Sequence, residues 1–131
     1  MPEPILITHW RSPGDIICLT AAVRDLSLTY PGRFEIHVGG SCGELWQGNP
    51  HVAGVWGNRF PRGMPRLSLD YVPWLARSNE IKLHFLTAFH RSMEQSLSLP
   101  LRLLKPGGDL HLSSQDREHR PIKRRYWVLV S

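Results

Sequence analysis

The sequence predicts an α/β fold, a mostly parallel sheet with flanking helices of the Rossmann-like kind, and three observations carry that expectation. Residues 5–10, ILITHW, form an apolar run without polar alternation, as a strand buried on both faces requires. Residues 15–30 follow with Ile16, Leu19, Val23, Leu26 and Tyr30 at helical spacing, and Pro31-Gly32 ends the run. Two further short apolar runs, 34–38 and 52–56, bracket a glycine-rich turn and a helical piece at 44–47. Strand, helix, strand, helix, strand is the order of a sheet built by right-handed crossovers.

The rest of the chain is less regular. Residues 57–66, GNRFPRGMPR, read as a basic irregular segment, and 67–72 as a fourth strand. Residues 81–97 read as a second long helix with Leu86, Phe89, Met93 and Leu97 on one face and Pro100 beyond it. A polar, basic stretch follows, with a short strand expected at 110–112, and then the apolar run YWVLV at 126–130. This divides the chain into a domain over 1–104, a basic connector over 105–125, and at 126–131 the opening strand of a further domain. The expectation is therefore the front part of a two-domain protein.

Composition narrows the class. The 131 residues are 41% hydrophobic and 21% charged, as in a folded domain with one core. Cys18 and Cys42 fit no CxxC or zinc spacing and read as reduced thiols. The first residues, MPEPILITHWR, lack a signal peptide's basic start and apolar length, and no run approaches the ~20 apolar residues of a membrane span. The expected location is cytoplasmic. The net charge of +5 is uneven, −2 over residues 1–58 and +7 over 59–131, and 13 of the 16 basic residues are arginine. Such a balance points to an anionic partner or surface.

The polar elbow Arg11-Ser12-Pro13-Gly14-Asp15 lies where ligands bind in open α/β sheets, between the carboxyl end of a strand and the start of a helix. Free N–H groups there can hold an anion or orient a carboxylate. The plainer reading is that Asp15 is the helix N-cap. No GxGxxG or Gly-Lys-Ser/Thr is present, so the phosphate cradles of dinucleotide-binding and P-loop proteins are lacking. Seven histidines show no metal-ligand spacing and read as structural or solvated, and Trp10, beside the elbow, is a candidate stacking surface for a sugar.

The stretch ILITHWRSPGDIICLTAAVRDLSLTYPGRFEIHVGG, with WQGNPHVAGVW after it, resembles the start of glycosyltransferase family 9, the bacterial ADP-heptose:lipopolysaccharide heptosyltransferases and their relatives. The features that resemble it are Arg-Ser-x-Gly-Asp after a strand, a helix ending in Tyr-Pro, and Asn49-Pro50-x-Val52 before the third strand. HFLTAFHRSMEQSLSLPL and YWVLVS resemble later segments of the family. Ala21 stands where the family commonly has proline, and Pro13 where it more often has an aliphatic residue.

The resemblance implies a GT-B fold, with this chain as the N-terminal, acceptor-side half and the donor-binding domain beyond it. It implies inverting transfer of a sugar from a nucleotide-sugar donor, ADP-heptose-like, to a saccharide or glycolipid acceptor, without cofactor or metal. The aspartate matching Asp15 is the family's general base, with Arg11, Ser12 and Gly14 around the substrate. Arg59, Arg62 and Arg66 are expected to meet an anionic acceptor, and the setting is lipopolysaccharide biosynthesis, with peripheral contact at the cytosolic face of the inner membrane. A carboxylate at a helix N-terminus beside arginine is a weak base, so proton transfer would come late and positioning would matter most. Two alternatives stand beside this reading. One is a nucleotide-binding α/β enzyme of another class. The other is a basic nucleic-acid-binding module, disfavoured because the basic groups sit in connectors without interleaved aromatics.

Overall fold

The structure, a computed structural model, describes residues 1–77, 80 and 84–119. Its centre is β1 (Glu3–His9), which leads through α1 (Pro13–Thr29) to β2 (Phe34–Gly40). A 3-10 turn (Gly43–Trp46) precedes β3 (Gly54–Trp56), and a long crossover reaches β4 (Arg66–Ser68). Then come α2 (Val72–Leu75), α3 (Phe85–Leu97) and the short α4 (Ser114–Glu118). The strands form one sheet in the order β3-β2-β1-β4, parallel at every pairing. The expected α/β, Rossmann-like sheet is thus the observed one.

Register explains the core. Ile5 pairs with Ile36 and Ile7 with Val38, so these four share one face of the sheet. They join Ile16, Leu19, Val23 and Leu26 of α1 and Phe89 and Met93 of α3 in one buried cluster. The helical spacings of Ile16 to Leu26 and of Leu86 to Met93 are what point these side chains the same way. On the other face Thr8 pairs with Gly39, and the Phe60 ring of the crossover occupies the space that a side chain at position 39 would need.

Several boundaries differ from expectation for identifiable reasons. Helix α1 starts at Pro13, because Ser12 and not Asp15 is the N-cap. Strand β4 ends at Ser68, short of 72, because Asp70 Oδ1 accepts the Val72 N–H and Pro73 sits in the first turn of α2. Helix α3 begins at Phe85 with His84 as N-cap, its ring nitrogen accepting from Leu86 N–H; residues 81–83 lie outside the described residues. The strand expected at 110–112 does not form. The residues just before it are held along α1, where Gly108 lies against the Ile17 carbonyl and Asp109 N–H donates to Thr20 Oγ1 at 2.7 Å, and His111 comes to lie beside Gly48. Arg120, Lys123, Arg124, Arg125 and the run at 126–130 lie outside the described residues. Among the described residues, no helix is long and apolar enough to cross a membrane.

One buried ionic network crosses the helical layer. Asp25, fully buried on α1, accepts from Arg24 Nε (2.8 Å), from His90 Nε2 on α3 (2.7 Å) and from Leu104 N–H (3.1 Å). Arg24 also donates to Asp109 Oδ2 at 2.9 Å and to the carbonyls of Lys105 and Gly107. The other ring nitrogen of His90, Nδ1, faces the Leu86 carbonyl at 2.8 Å, so both nitrogens of the buried ring meet oxygens. Burial pushes the Asp25 carboxyl upward, but the hydrogen bonds from Arg24, His90 and Leu104 and the guanidinium charge outweigh it, leaving the group below the usual carboxylate range.

Removing one member of a buried pair strands the others, at a cost of about 3–5 kcal/mol. Asp25→Ala is therefore expected to lower the urea-unfolding free energy by that order. Because the folded carboxyl titrates below its unfolded value of about 3.9, the contribution is present above that pH and lost as pH falls through the folded value. Acid unfolding of the wild type should steepen below about pH 4, and Asp25→Ala should remove part of that dependence.

Candidate functional site

The carboxyl ends of β1, β2 and β4 converge on the elbow. β1 finishes in His9, whose Nδ1 donates to the Leu69 carbonyl beyond β4 at 2.9 Å; its ring stands edge-on to Phe89 and 6.0 Å from Tyr71. The His9 Nε2 is buried and has no hydrogen-bond partner among the described residues. The His9 carbonyl accepts from Ser41 N–H at 3.1 Å, and Ser41 Oγ donates to the Arg11 carbonyl at 2.6 Å. This close approach requires Gly40, which sits at φ +117° with the His9 carbonyl where a Cβ would be.

Past His9 the chain turns outward. Trp10 is exposed and meets Phe60 edge-to-face at 6.0 Å. The Arg11 guanidinium lies 5.3 Å over the Tyr71 ring, with Nη2 3.6 Å from Asp70 Oδ2. Ser12 and Asp15 then close a capping box: Asp15 Oδ2 accepts from Ser12 N–H (3.1 Å) and from Ser12 Oγ (2.8 Å), and Asp15 N–H faces the same hydroxyl. Pro13 at the first helical position loses no hydrogen bond there. One carboxylate oxygen is thus oriented by two donors of a single residue three positions back.

Two neighbours report the charge of Asp15. The Tyr71 phenol is raised above its ordinary value by burial and by the charge and hydrogen-bonding capacity of Asp15, so at neutral pH it is a protonated donor. The Cys18 thiol, one turn along α1, is likewise pushed up by burial and then by Asp15, so it is no thiolate nucleophile.

Beside the elbow lies a hollow of about 140 Å³ lined by Thr8, His9, Trp10, Arg11, Ser68 and Asp70. Larger hollows lie elsewhere. One of about 320 Å³ lies between Gly48 and parts of the 110–117 segment, and an apolar one of about 550 Å³ sits at the amino ends of the strands against Ile5, Phe34 and Leu67. Of these three, the small one stands at the carboxyl ends of the strands, with opposite charges and hydroxyls converging.

Of the residues singled out from sequence, Arg11, Ser12, Gly14 and Asp15 come together in the elbow. Asp15 is not among the hollow's lining residues; it stands at the adjoining helix start. Arg66 joins from β4, its Nε donating to Thr8 Oγ1 at 3.2 Å and its guanidinium 4.9 Å over Phe60. Arg59 and Arg62 are exposed in the crossover. Sequence reasoning missed His9, Asp70 and Tyr71. Asp70 and Tyr71 follow β4 as Trp10 and Arg11 follow β1, so the rule that pointed to the elbow points to them once β4 is placed.

No family model matches this chain, and neither does any curated protein or solved structure.

Ser12→Ala removes the hydroxyl that caps α1 and one of the two donors on Asp15. Unfolding should cost about 1 kcal/mol less, read as a lower urea midpoint with unchanged slope.

Proposed function

We propose that this chain is the acceptor-side domain of a GT-B glycosyltransferase of the heptosyltransferase type. In that protein a donor-binding domain would supply a nucleotide-sugar, ADP-heptose-like, and the setting would be the cytosolic face of a bacterial inner membrane during lipopolysaccharide biosynthesis. The observation that carries the reading is the Asp15 carboxylate, held by Ser12 at the start of α1 beside the hollow at the strand ends. The sequence resemblance centres on the same five residues.

In this reading an acceptor hydroxyl enters beside Asp15 and attacks the anomeric carbon of the donor sugar from the face opposite the leaving nucleoside diphosphate. The new C–O bond forms as the bond to the diphosphate breaks, and the hydroxyl proton passes to Asp15. A sugar hydroxyl is far less acidic than a carboxylic acid until the new C–O bond forms, so proton transfer follows departure of the leaving group, and Asp15 acts first by orienting the hydroxyl and then by stabilising its developing positive charge. Arg59 and Arg62, exposed in the crossover, suit a phosphate or carboxylate elsewhere on an anionic saccharide or glycolipid acceptor.

The test compares sugar transfer by the intact protein and by its Asp15→Ala variant. Transfer should fall about 10²–10⁴-fold, while thermal unfolding stays cooperative and shifts only by the loss of a capping contact. Wild-type turnover by the variant would remove the base role of Asp15, and absence of sugar transfer by the intact wild-type protein would remove the reading itself.

A further inference from the structure

The hollow beside the elbow has a charge pattern that selects its occupant. Arg11 in its lining is set against the Asp70 carboxylate, and just outside the lining Arg66, on Thr8, is matched by the Asp15 carboxylate at the adjoining helix start, so these four groups leave the neighbourhood without a net charge to select an anion. The Arg11–Asp70 pair is also fixed from behind. Asp70 Oδ1 is engaged by Val72 N–H at 3.0 Å, which leaves Oδ2 on the arginine side, and the guanidinium is laid over the Tyr71 ring. Both side chains are about half exposed, at 48% and 47%.

The spacing within the pair matters as much as its charge. At 3.6 Å, Nη2 and Oδ2 attract each other but fall outside good hydrogen-bond distance, so each keeps capacity for another partner. A phosphate or carboxylate offers acceptors alone, which Nη2 could take but Oδ2 would repel. A hydroxyl both accepts and donates, and satisfies the two together. Thr8, by contrast, is already engaged, its Oγ1 accepting from Arg66 and facing the Leu67 carbonyl. The exposed Trp10 indole at the rim offers the apolar face on which the C–H side of a sugar ring lies.

We infer that this hollow binds a neutral, hydroxyl-bearing group, one edge of an uncharged sugar ring, clamped between Arg11 and Asp70 and stacked on Trp10. The inference rests on the glycosyltransferase reading for its biological sense and deepens it: the ring presented at the elbow is uncharged, and any anionic group of the acceptor lies away from it. The binding chemistry itself needs no turnover.

The experiment titrates the isotope-labelled chain with methyl α-glucopyranoside, a neutral sugar, and separately with inorganic phosphate, following the Trp10 indole N–H and the Ser68 amide by NMR. The glucoside is expected to shift both signals saturably, and phosphate to leave them in place. Asp70→Asn keeps an oxygen for Val72 N–H, so the loop retains its anchor. It should weaken the glucoside about tenfold, as loss of a hydrogen bond to a charged group does. Trp10→Ala, at an exposed position, should weaken it as well. The inference is overturned if phosphate alone moves these signals, if neither probe does, or if Asp70→Asn binds the glucoside as the wild type does. Glucoside binding at Trp10 alongside absence of sugar transfer by the intact wild-type protein would leave this site standing and remove the transferase reading. Transfer that depends on Asp15 while Trp10 stays silent would do the reverse.

Discussion

Asp25 holds the helical layer together. It carries a charge into a region where water does not reach, and the chain answers with three donors from three separate segments: the preceding residue on α1, a histidine on α3, and the backbone at Leu104. A lone ionised carboxylate in that position would be prohibitive, so the network forms completely or the packing around it does not form. Its geometry requires α1 and α3 side by side and the segment through Asp109 laid along α1. The apolar cluster beneath it is less directional: Leu, Ile and Phe contacts tolerate sliding, whereas Arg24 reaching two carbonyls and two carboxylates tolerates little.

At the other end of α1 the same residue type serves a different purpose. Asp15 is near the surface and belongs to a capping box that stabilises the helix and aims the carboxylate in one arrangement. Capping and chemistry are thus compatible in one side chain. Ser12 supplies both donors, so the orientation is local and needs no distant partner. Arg11 is different in kind. Its guanidinium is shared between Tyr71 and Asp70, contributed by the turn that follows β4, the strand next to β1 in the sheet.

That contrast explains what could be read in the sequence. The elbow from Arg11 to Asp15, the amphipathic spacing of Ile16 to Leu26 and the unalternating run of β1 are local patterns, and they mark the parallel sheet and one edge of the site. The Asp25–His90 pair joins residues 65 apart, and Arg11–Asp70 residues 59 apart, so neither has a spacing signature. Asp25 belongs to no motif in the sequence that sets it apart from the chain's other carboxylates. Residues 105–112 read as a connector because their ordering comes from Thr20 and Arg24, which no pattern within the segment reveals. The N-cap was displaced by one turn because serine and aspartate both favour that position, and only geometry separates capping residue from reciprocating partner.

Gly40 has a wider reach than its size implies. Its backbone, closed to any other residue by the His9 carbonyl, brings the end of the second strand against the end of the first, where Ser41 grips the main chain at His9 and Arg11. The pose of the elbow is accordingly inherited from a neighbour in the sheet. The pentapeptide moved alone onto another strand–helix unit would keep its cap and lose its aim, so the smallest portable version of the elbow's backbone is the whole βαβ unit through Ser41, and the Arg11 side chain needs the turn after β4 as well.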